Sequence, residues 1–350
     1  MNWPGRKVTF AGKQAFMVDQ VAGATGLFDR KVILAPLAGI TNLSFRMMAR
    51  EFGCDLCLTE MVSANGLVRG SETTAAYLKT IPEDRPLGVQ LFGADPQIMA
   101  EAAVLVSEHH PDFIDINMGC PVRKVVRSGA GAFLMKDPAA AGRIIAAVVK
   151  AVRVPVTVKI RSGWSRQSAN AVEMAKIAQE AGAAAITVHG RTADQGFSGH
   201  ADWNVVALVK KAVAIPVVGN GDIRQPADAL RMFCLTRCDA VMVGRGALGN
   251  PWLFQGISRL LAGEPDMPAP DPAQRLEVIR KHHDMEIQAC GMKVADRMFR
   301  KHLLWYTKGL PGSGKFREAA GKMADSRQWL PELARYFSSL CTTAPPEIMP

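Results

Sequence analysis

The chain has 350 residues and a formal net charge of +10, with 48% hydrophobic and 21% charged residues. This composition excludes a disordered chain, because the hydrophobic residues suffice to bury a large core. The amino terminus lacks the apolar stretch of a signal peptide, no apolar run is as long as a membrane span, and the seven cysteines are an odd number. These features predict a cytoplasmic protein without membrane contact, and the basic charge favours polyanionic partners.

Short apolar runs alternate with amphipathic helical segments from about residue 32 to residue 245. The eight runs are residues 32–39, 55–62, 86–93, 113–119, 154–163, 184–190, 215–221 and 240–246. Several are continuously hydrophobic, which is typical of parallel strands buried on both faces. Eight strand-and-helix units predict an α/β protein with a (β/α)8 TIM barrel. A doubly wound open sheet is the alternative, but the first strand is not followed by the GxGxxG segment of nucleotide-binding sheets.

The alternation of strands and helices stops near a proline-rich, acidic segment at residues 261–274. Beyond that segment the pattern is helical to about residue 340. We therefore predict three regions, which are an amino-terminal extension over residues 1–30, a barrel over 31–257 and a C-terminal helical domain over 258–340.

Unusual residues lie at the carboxyl ends of the predicted strands, where barrel enzymes place their sites. Glycine-rich segments follow the seventh and eighth strands, and Arg245 lies in the second of them. Such loops let backbone N–H groups approach a phosphate, and arginine adds a bidentate donor, although glycines also serve in simple tight turns. Lys159 and His189 lie on neighbouring predicted strands and Gln90 lies on the third, and all three would converge inside the mouth, where they could bind a fused ring. Together these groups indicate a site for flavin mononucleotide (FMN). Cys54 and Cys57 have CxxC spacing, but no second CxxC or histidine pair at zinc spacing accompanies them, so no metal site is predicted.

Eight segments give the chain a resemblance to one family. They are APLAGITNLSFR, VQLFG, INMGCPVRKVVRSGAGAFLM, VKIRSGW, TVHGRT, GNGDI, VGRGALGNPW and RKHLLWY, in this order over about residues 32–320. In these segments the chain resembles the bacterial tRNA-dihydrouridine synthases, and its sequence is most similar to their subfamily B type. INMGCP and the basic glycine-rich stretch after it are specific, whereas GNGDI and VGRG occur in other flavin barrels. The first thirty residues depart from the family pattern.

The resemblance implies reduction of the C5–C6 double bond of specific tRNA uridines, with hydride from reduced FMN to C6 and a proton from Cys120 to C5. NADPH or NADH would supply the electrons. A thiol suits the proton transfer because its ordinary pKa keeps it protonated at neutral pH. The uracil-positioning asparagine of the family falls on Asn117. Its FMN contacts fall on Pro36, Leu37, Ala38, Gln90, Lys159, His189, Asn220, Gly221, Asp222, Gly244 and Arg245.

A basic segment in the predicted helical domain is the candidate tRNA contact. Residues 291–322 carry eight lysines or arginines and two acidic residues. Five of the cations recur at helical spacing and would form a stripe on one helix face: Lys293, Arg297, Arg300, Lys301 and Lys308. Arg297 and Lys301 are the predicted tRNA contacts, and an ordinary solvated helix face is the alternative reading. We predict a monomer whose partner is tRNA.

Two other functions remain open from the residues. An FMN-dependent dehydrogenase of the dihydroorotate type, acting on a small pyrimidine, would share the barrel and the phosphate site. Such an enzyme has no need of the basic helical region. An RNA-binding protein that has lost its chemistry is the second alternative, but it would not be expected to keep Cys120, Lys159 and the whole phosphate site.

Overall fold

A computed structural model describes residues 8–10, 14–16, 26–29 and 31–342. Strands β1 (Val8–Phe10) and β2 (Gln14–Phe16) pair antiparallel, and most of the predicted extension over residues 1–30 lies outside the described residues. Phe28 packs edge-on against Phe113, with ring centroids 5.5 Å apart. Both rings are buried inside the barrel, so Phe28 helps to close its amino-terminal end.

Parallel strands close into a barrel. They are β3 (Val32–Leu34), β4 (Leu56–Leu58), β5 (Val62–Ser63), β6 (Leu87–Phe92), β7 (Phe113–Met118), β8 (Val156–Arg161), β9 (Ala185–His189), β10 (Val217–Asn220) and β11 (Ala240–Val243). The strand β4 pairs with both β3 and β6, which completes the ring, and the short β5 lies beside the end of β6. Each predicted apolar run contains one barrel strand, and the predicted TIM barrel is confirmed.

Helices cover the outside of the barrel. They are α1 (Leu43–Glu51), α2 (Ala64–Val68), α3 (Glu72–Ala75), α4 (Pro96–Ser107), α5 (Arg123–Arg127), α6 (Pro138–Ala151), α7 (Ala171–Glu180), α8 (Trp203–Ala212), α9 (Pro226–Thr236) and α10 (Trp252–Leu261). Asp95 and Asp137 begin two of them by accepting hydrogen bonds from backbone N–H groups of the first turn, with proline as the first helical residue. Such caps satisfy donors that have no partner within the helix.

The barrel interior changes from apolar to polar toward the carboxyl ends of the strands. The lower part is filled by apolar side chains, and Gly88 leaves room for the ring of Phe113, because a Cβ at Gly88 would lie 2.1 Å from that ring. Side chains alternate along a strand, so every second residue of β6 to β10 points inward. In the upper layers these inward residues are Gln90, Asp115, Asn117, Thr157, Lys159, Arg161, Thr187, His189 and Asn220. The fold therefore places a polar layer at the mouth of the barrel.

A C-terminal helical domain packs against α1. Its helices are α11 (Pro272–Cys290), α12 (Met292–Tyr306), α13 (Ser313–Lys322) and α14 (Ser326–Thr342). Phe299 stacks on Trp329 in its core, with ring centroids 5.9 Å apart. At the junction Gly249, which has a φ of +68°, approaches the α12 backbone so closely that a Cβ would lie 2.4 Å from the carbonyl carbon of Trp305. The predicted helical domain is confirmed, while α10 runs to Leu261, past the predicted barrel limit at residue 257.

Among the described residues, no helix combines the length and the apolar character needed to cross a bilayer.

Candidate active site

Cys120 lies at the mouth of the barrel, in the loop after β7. Its backbone N–H donates to Asn117 Oδ1 at 2.9 Å, and the N–H of Gly119 donates to the same oxygen at 3.1 Å. The Cys120 carbonyl accepts from the N–H of Ala132 at 3.0 Å. The side chain is half-buried, and this burial raises the pKa of the Cys120 thiol above its ordinary value. The loop thus holds a thiol that stays protonated at neutral pH.

A chain of buried hydrogen bonds runs from Asn117 down into the barrel. Asn117 Nδ2 donates to Gln90 Oε1 at 2.7 Å, and Gln90 Nε2 donates to Asp115 Oδ2 at 2.7 Å. The Thr157 hydroxyl donates to Asp115 Oδ1 at 2.6 Å. Burial raises the pKa of Asp115 to about 6, although both hydrogen bonds oppose this rise. Gln90 uses both ends of its amide in this chain, which orients Asn117 and, through it, the backbone of Cys120.

Two cations project inward from β8. Lys159 Nζ donates to Asn220 Oδ1 at 3.0 Å, and Asn220 Nδ2 donates to the Met242 carbonyl at 2.7 Å. Burial, and after it the charge of Arg161, lowers the pKa of Lys159 to about 8. Arg161 Nε donates to the Gly119 carbonyl at 2.7 Å and so braces the loop that carries the Cys120 thiol. Asn220 is the one hydrogen-bond acceptor of the Lys159 ammonium within the described part of the chain, although an ammonium group carries three donors.

The loops after β10 and β11 touch each other where both are glycine-rich. A Cβ at Gly246 would lie 2.2 Å from the Ile223 carbonyl oxygen. Gly221 has a φ of +119°, and a Cβ there would lie 2.8 Å from a neighbouring side chain. Beside these loops the Arg245 side chain is 44% exposed, and its guanidinium carbon lies 4.6 Å from the centre of the Phe197 ring. Closely approaching backbone beside an exposed guanidinium suits the binding of an anion.

The carboxylate of Asp222 is engaged within the protein. Arg191 Nη2 lies 2.8 Å from both Asp222 carboxylate oxygens, and the N–H of Ala201 donates to Asp222 Oδ2 at 2.8 Å. Burial opposes the shift, but these hydrogen bonds lower the pKa of Asp222 below its usual value. His189 lies 3.5 Å from Arg191 between their side-chain nitrogens. Burial, followed by the charge of Lys159, lowers the pKa of His189 far below its ordinary value, so its imidazole is neutral.

The loop after β3 forms a compact turn at the mouth. The Leu37 N–H donates to Thr41 Oγ1 at 3.0 Å, and the Leu37 carbonyl accepts from the N–H groups of Ile40 at 2.9 Å and Thr41 at 3.0 Å. Pro36 and Leu37 are half-buried, and Ala38 is exposed. These bonds tie residues 37–41 together in one turn.

The structure brings the predicted barrel residues to one end of the fold. Four further polar residues support them and were not among the predicted site residues: Asp115, Thr157, Arg161 and Arg191. A signal for two of them exists in the sequence, because Asp115 precedes Asn117 by two residues and Thr157 precedes Lys159 by two. In a strand, residues two apart share a face, so both side chains had to point into the barrel.

The predicted basic stripe has fewer solvent-exposed cations than the helical spacing predicted. Lys293, Arg297 and Lys308 are exposed. Arg300 Nη2 donates to two carbonyls after α13, at 2.6 and 2.7 Å. Lys301 donates to a carbonyl of the loop after β3. The last two side chains are half-buried and bind the protein's own backbone, so three of the five cations remain on the solvent-exposed surface.

A closed parallel barrel with a thiol, amides and cations at the carboxyl ends of its strands has the architecture of a barrel enzyme. A family model described as dihydrouridine synthase (Dus) matches residues 33–340, which is most of the chain. The chain belongs to the dihydrouridine synthase family.

Named relatives agree with this assignment. The chain is 40% identical over 310 residues to a probable tRNA-dihydrouridine synthase of Rickettsia prowazekii (strain Madrid E), a match that covers 88% of this chain and 95% of the relative. It is 40% identical to a tRNA-dihydrouridine synthase B of Xanthomonas axonopodis pv. citri, with 91% and 96% covered. With a tRNA-dihydrouridine synthase B of Pseudomonas aeruginosa the identity is 39%, with 88% and 93% covered. The resemblance to the B type is confirmed.

Proposed function

We propose that this chain reduces the C5–C6 double bond of uridines in tRNA to 5,6-dihydrouridine. Membership of the family and the names of the relatives support this activity. The observation that carries the proposal is the half-buried, protonated Cys120 thiol, held by Asn117 at the barrel mouth. A general acid must be protonated and held in place beside the atom that receives the proton. The raised pKa of Cys120 meets the first condition, and the bonds to its backbone hold its loop in place.

FMN is the proposed cofactor, with NADPH or NADH as the electron source. Two features of the site fit a flavin phosphate and ring. The glycine loops after β10 and β11 approach each other beside the exposed Arg245, and the Lys159 ammonium has spare donors inside the mouth. FMN supplies the two-electron reducing chemistry when bound. The residues proposed to hold it are Pro36, Leu37, Ala38, Gln90, Lys159, His189, Asn220, Gly221, Asp222, Gly244 and Arg245.

The hydrogen bonds that these residues already make indicate a different role for each in binding FMN. Gly221, Gly244 and Arg245 would bind the phosphate through backbone N–H groups and the guanidinium. Asp222 would act by its backbone, because its carboxylate already binds Arg191. The neutral His189 offers a donor or an acceptor without adding charge.

On the substrate side, Cys120 would give its proton to C5 of the uracil. Asn117 would orient the base, because one hydrogen of its amide nitrogen binds Gln90 at 2.7 Å and the other has only the weak acceptor Met61 Sδ, at 4.0 Å. Arg161 keeps the loop in position through the Gly119 carbonyl.

The direct test is reconstitution with a defined substrate. The purified chain should bind FMN and, with NADPH and an unmodified tRNA transcript, should form dihydrouridine that mass spectrometry detects. Dihydroorotate and free uridine serve as control substrates and should not react. A chain that cannot bind FMN, or that acts on the small pyrimidine and leaves tRNA unchanged, would contradict the proposal.

The exposed cations on α12 and just after it are proposed to bind tRNA phosphates: Lys293, Arg297 and Lys308. Arg297→Glu combined with Lys308→Glu should raise the Kd for tRNA at low salt. The slope of log K against log salt should become flatter by about 0.7–0.9 for each lost contact, because fewer counterions are released. The FMN content should not change. The matched control reverses the charges of Lys150 and Arg153 by substitution with glutamate. Both residues are exposed near the carboxyl end of α6, on the opposite side of the barrel from the mouth. Equal slopes in the two double variants would remove α12 from the tRNA contact.

A further inference from the structure

A single glycine of the mouth is held by groups from two parts of the fold. Gly39, which has a φ of +73°, follows the residues Pro36–Ala38 in the loop after β3. Its backbone N–H donates to Glu60 Oε2, and its carbonyl accepts from Lys301 Nζ. Glu60 lies just beyond β4 and is 5% exposed, whereas Lys301 comes from α12 of the helical domain. Both backbone polar groups of Gly39 are therefore occupied by ionisable side chains.

The helical domain also binds the segment that follows this loop. Asn42 Nδ2 lies 2.8 and 2.9 Å from the two carboxylate oxygens of Glu286 on α11. The Ser44 hydroxyl donates to the same carboxylate, and both Ser44 and Glu286 are buried. Asn42 is also the cap of α1, since its Oδ1 accepts from the N–H of Phe45 at 3.1 Å. Gly39, Asn42 and Ser44 are thus each bound by a side chain of the helical domain.

The positive charge of Lys301 also acts on two neighbouring carboxylates. Burial raises the pKa of Glu60, while the Gly39 N–H and the charges of Lys301 and Arg46 oppose this rise. Lys301 is a cation that interacts with both Glu60 and Glu286, and burial lowers its own pKa, which the two carboxylates oppose. A buried carboxylate that loses its compensating charge is costly. Removing Lys301 would therefore weaken the hold of Glu60 on Gly39 as well as free the Gly39 carbonyl.

We propose that Lys301 and Glu60 are positioning residues that set the loop Pro36–Gly39, so that the helical domain completes the flavin site. The inference rests on the proposed function, in which this loop contacts FMN. The turn bonds between Leu37 and Thr41 make the loop a unit, so a constraint on Gly39 is passed to Pro36–Ala38. Lys301, which the helical spacing assigned to tRNA, is thereby assigned to the loop.

The test compares FMN affinity in matched variants of the full chain. Lys301→Met should raise the Kd for FMN by about tenfold or more, measured by quenching of flavin fluorescence, which corresponds to about 1.4 kcal/mol. Lys293→Met, an exposed lysine on the same helix, should leave the Kd unchanged. Lys301→Arg keeps a donor and a charge and should restore much of the affinity. The salt slope of tRNA binding should be that of the wild type in Lys301→Met and Lys301→Arg.

Stability is measured in parallel, because a purely structural role would lower Tm without changing the affinity of the folded chain. Glu60→Gln, which keeps the size of the side chain, gives a second measurement if Lys301→Met does not fold, and it too should weaken FMN binding. An unchanged FMN Kd in folded Lys301→Met or Glu60→Gln would overturn this inference and leave the proposed function standing. A flatter tRNA salt slope with normal FMN affinity would return Lys301 to the tRNA surface. A wild-type chain without FMN affinity would overturn the proposed function and this inference with it.

Discussion

Cys120→Ala should lower the rate of dihydrouridine formation by about 10²–10⁴, the usual contribution of general acid catalysis. FMN content and NADPH oxidation should stay at the wild-type level. The reason is spatial, because Cys120 lies in the loop after β7 while the proposed phosphate loops follow β10 and β11. Single-turnover reduction of tRNA, followed together with flavin absorbance, separates the two activities. Cys234→Ala is the matched control, since this half-buried cysteine lies near the end of α9.

The pH dependence gives a further check on the same group. A general acid works in its protonated form, and burial keeps the pKa of Cys120 above the ordinary 9.0, so its contribution should persist up to that pH. Lys159 loses its charge near pH 8, which is where its lowered pKa lies. We therefore expect the rate to decline between about pH 8 and pH 9 as Lys159 loses its charge. The decline should appear both in the wild type and in the residual activity of Cys120→Ala. Wild-type reduction of uridine by Cys120→Ala would remove this thiol from the reaction.

Asp84→Ala is expected to destabilise the fold by about 3–5 kcal/mol, the usual cost of breaking a buried ion pair. Asp84 is wholly buried and receives two guanidinium groups, with Arg46 Nη2 at 2.7 Å and Arg50 Nε at 2.9 Å. Arg46 is 1% exposed, so removal of Asp84 would leave its charge buried without this carboxylate. Arg46 also donates to the Thr41 carbonyl at 2.9 Å, so the loop after β3 should loosen as well. Urea unfolding at neutral pH measures the loss of free energy.

The control for this prediction is an ion pair of the same type on the surface. Glu318 and Lys322 lie 2.8 Å apart on α13, with side chains 72% and 75% exposed. Glu318→Ala should change the free energy of unfolding by less than about 1 kcal/mol, because solvent screens an exposed pair. If Asp84→Ala were as mild as Glu318→Ala, the buried cluster would not be a determinant of stability.

Local sequence determined the strands, the helices and the chemistry at the strand ends. Eight apolar runs of strand length are enough to predict the barrel strands, because hydrophobic periodicity is a local property that burial then enforces. INMGCP likewise places Asn117 and Cys120 three residues apart, which is the spacing at which Asn117 Oδ1 reaches the Cys120 N–H. These features depend on neighbours along the chain.

Only the tertiary structure decided which groups meet across strands. Gln90 lies opposite Asp115, and Asn117 lies opposite Lys159, because of the register between β6, β7 and β8. That register depends on pairing between segments far apart in the sequence, so the hydrogen bonds that join Gln90 to Asp115 and to Asn117 have no local signal. The elevated pKa of Asp115 is a consequence of the same burial.

The helical domain shows the same division most clearly at two neighbouring positions of α12. Helical spacing places Arg297 and Lys301 one turn apart on the same face, and both carry the same charge. Arg297 is exposed, yet Lys301 binds the carbonyl of Gly39, which is 262 residues away in the chain. Periodicity determines the angle of a side chain around its own helix, but the docking of that helix on the barrel determines whether the side chain meets water or another loop.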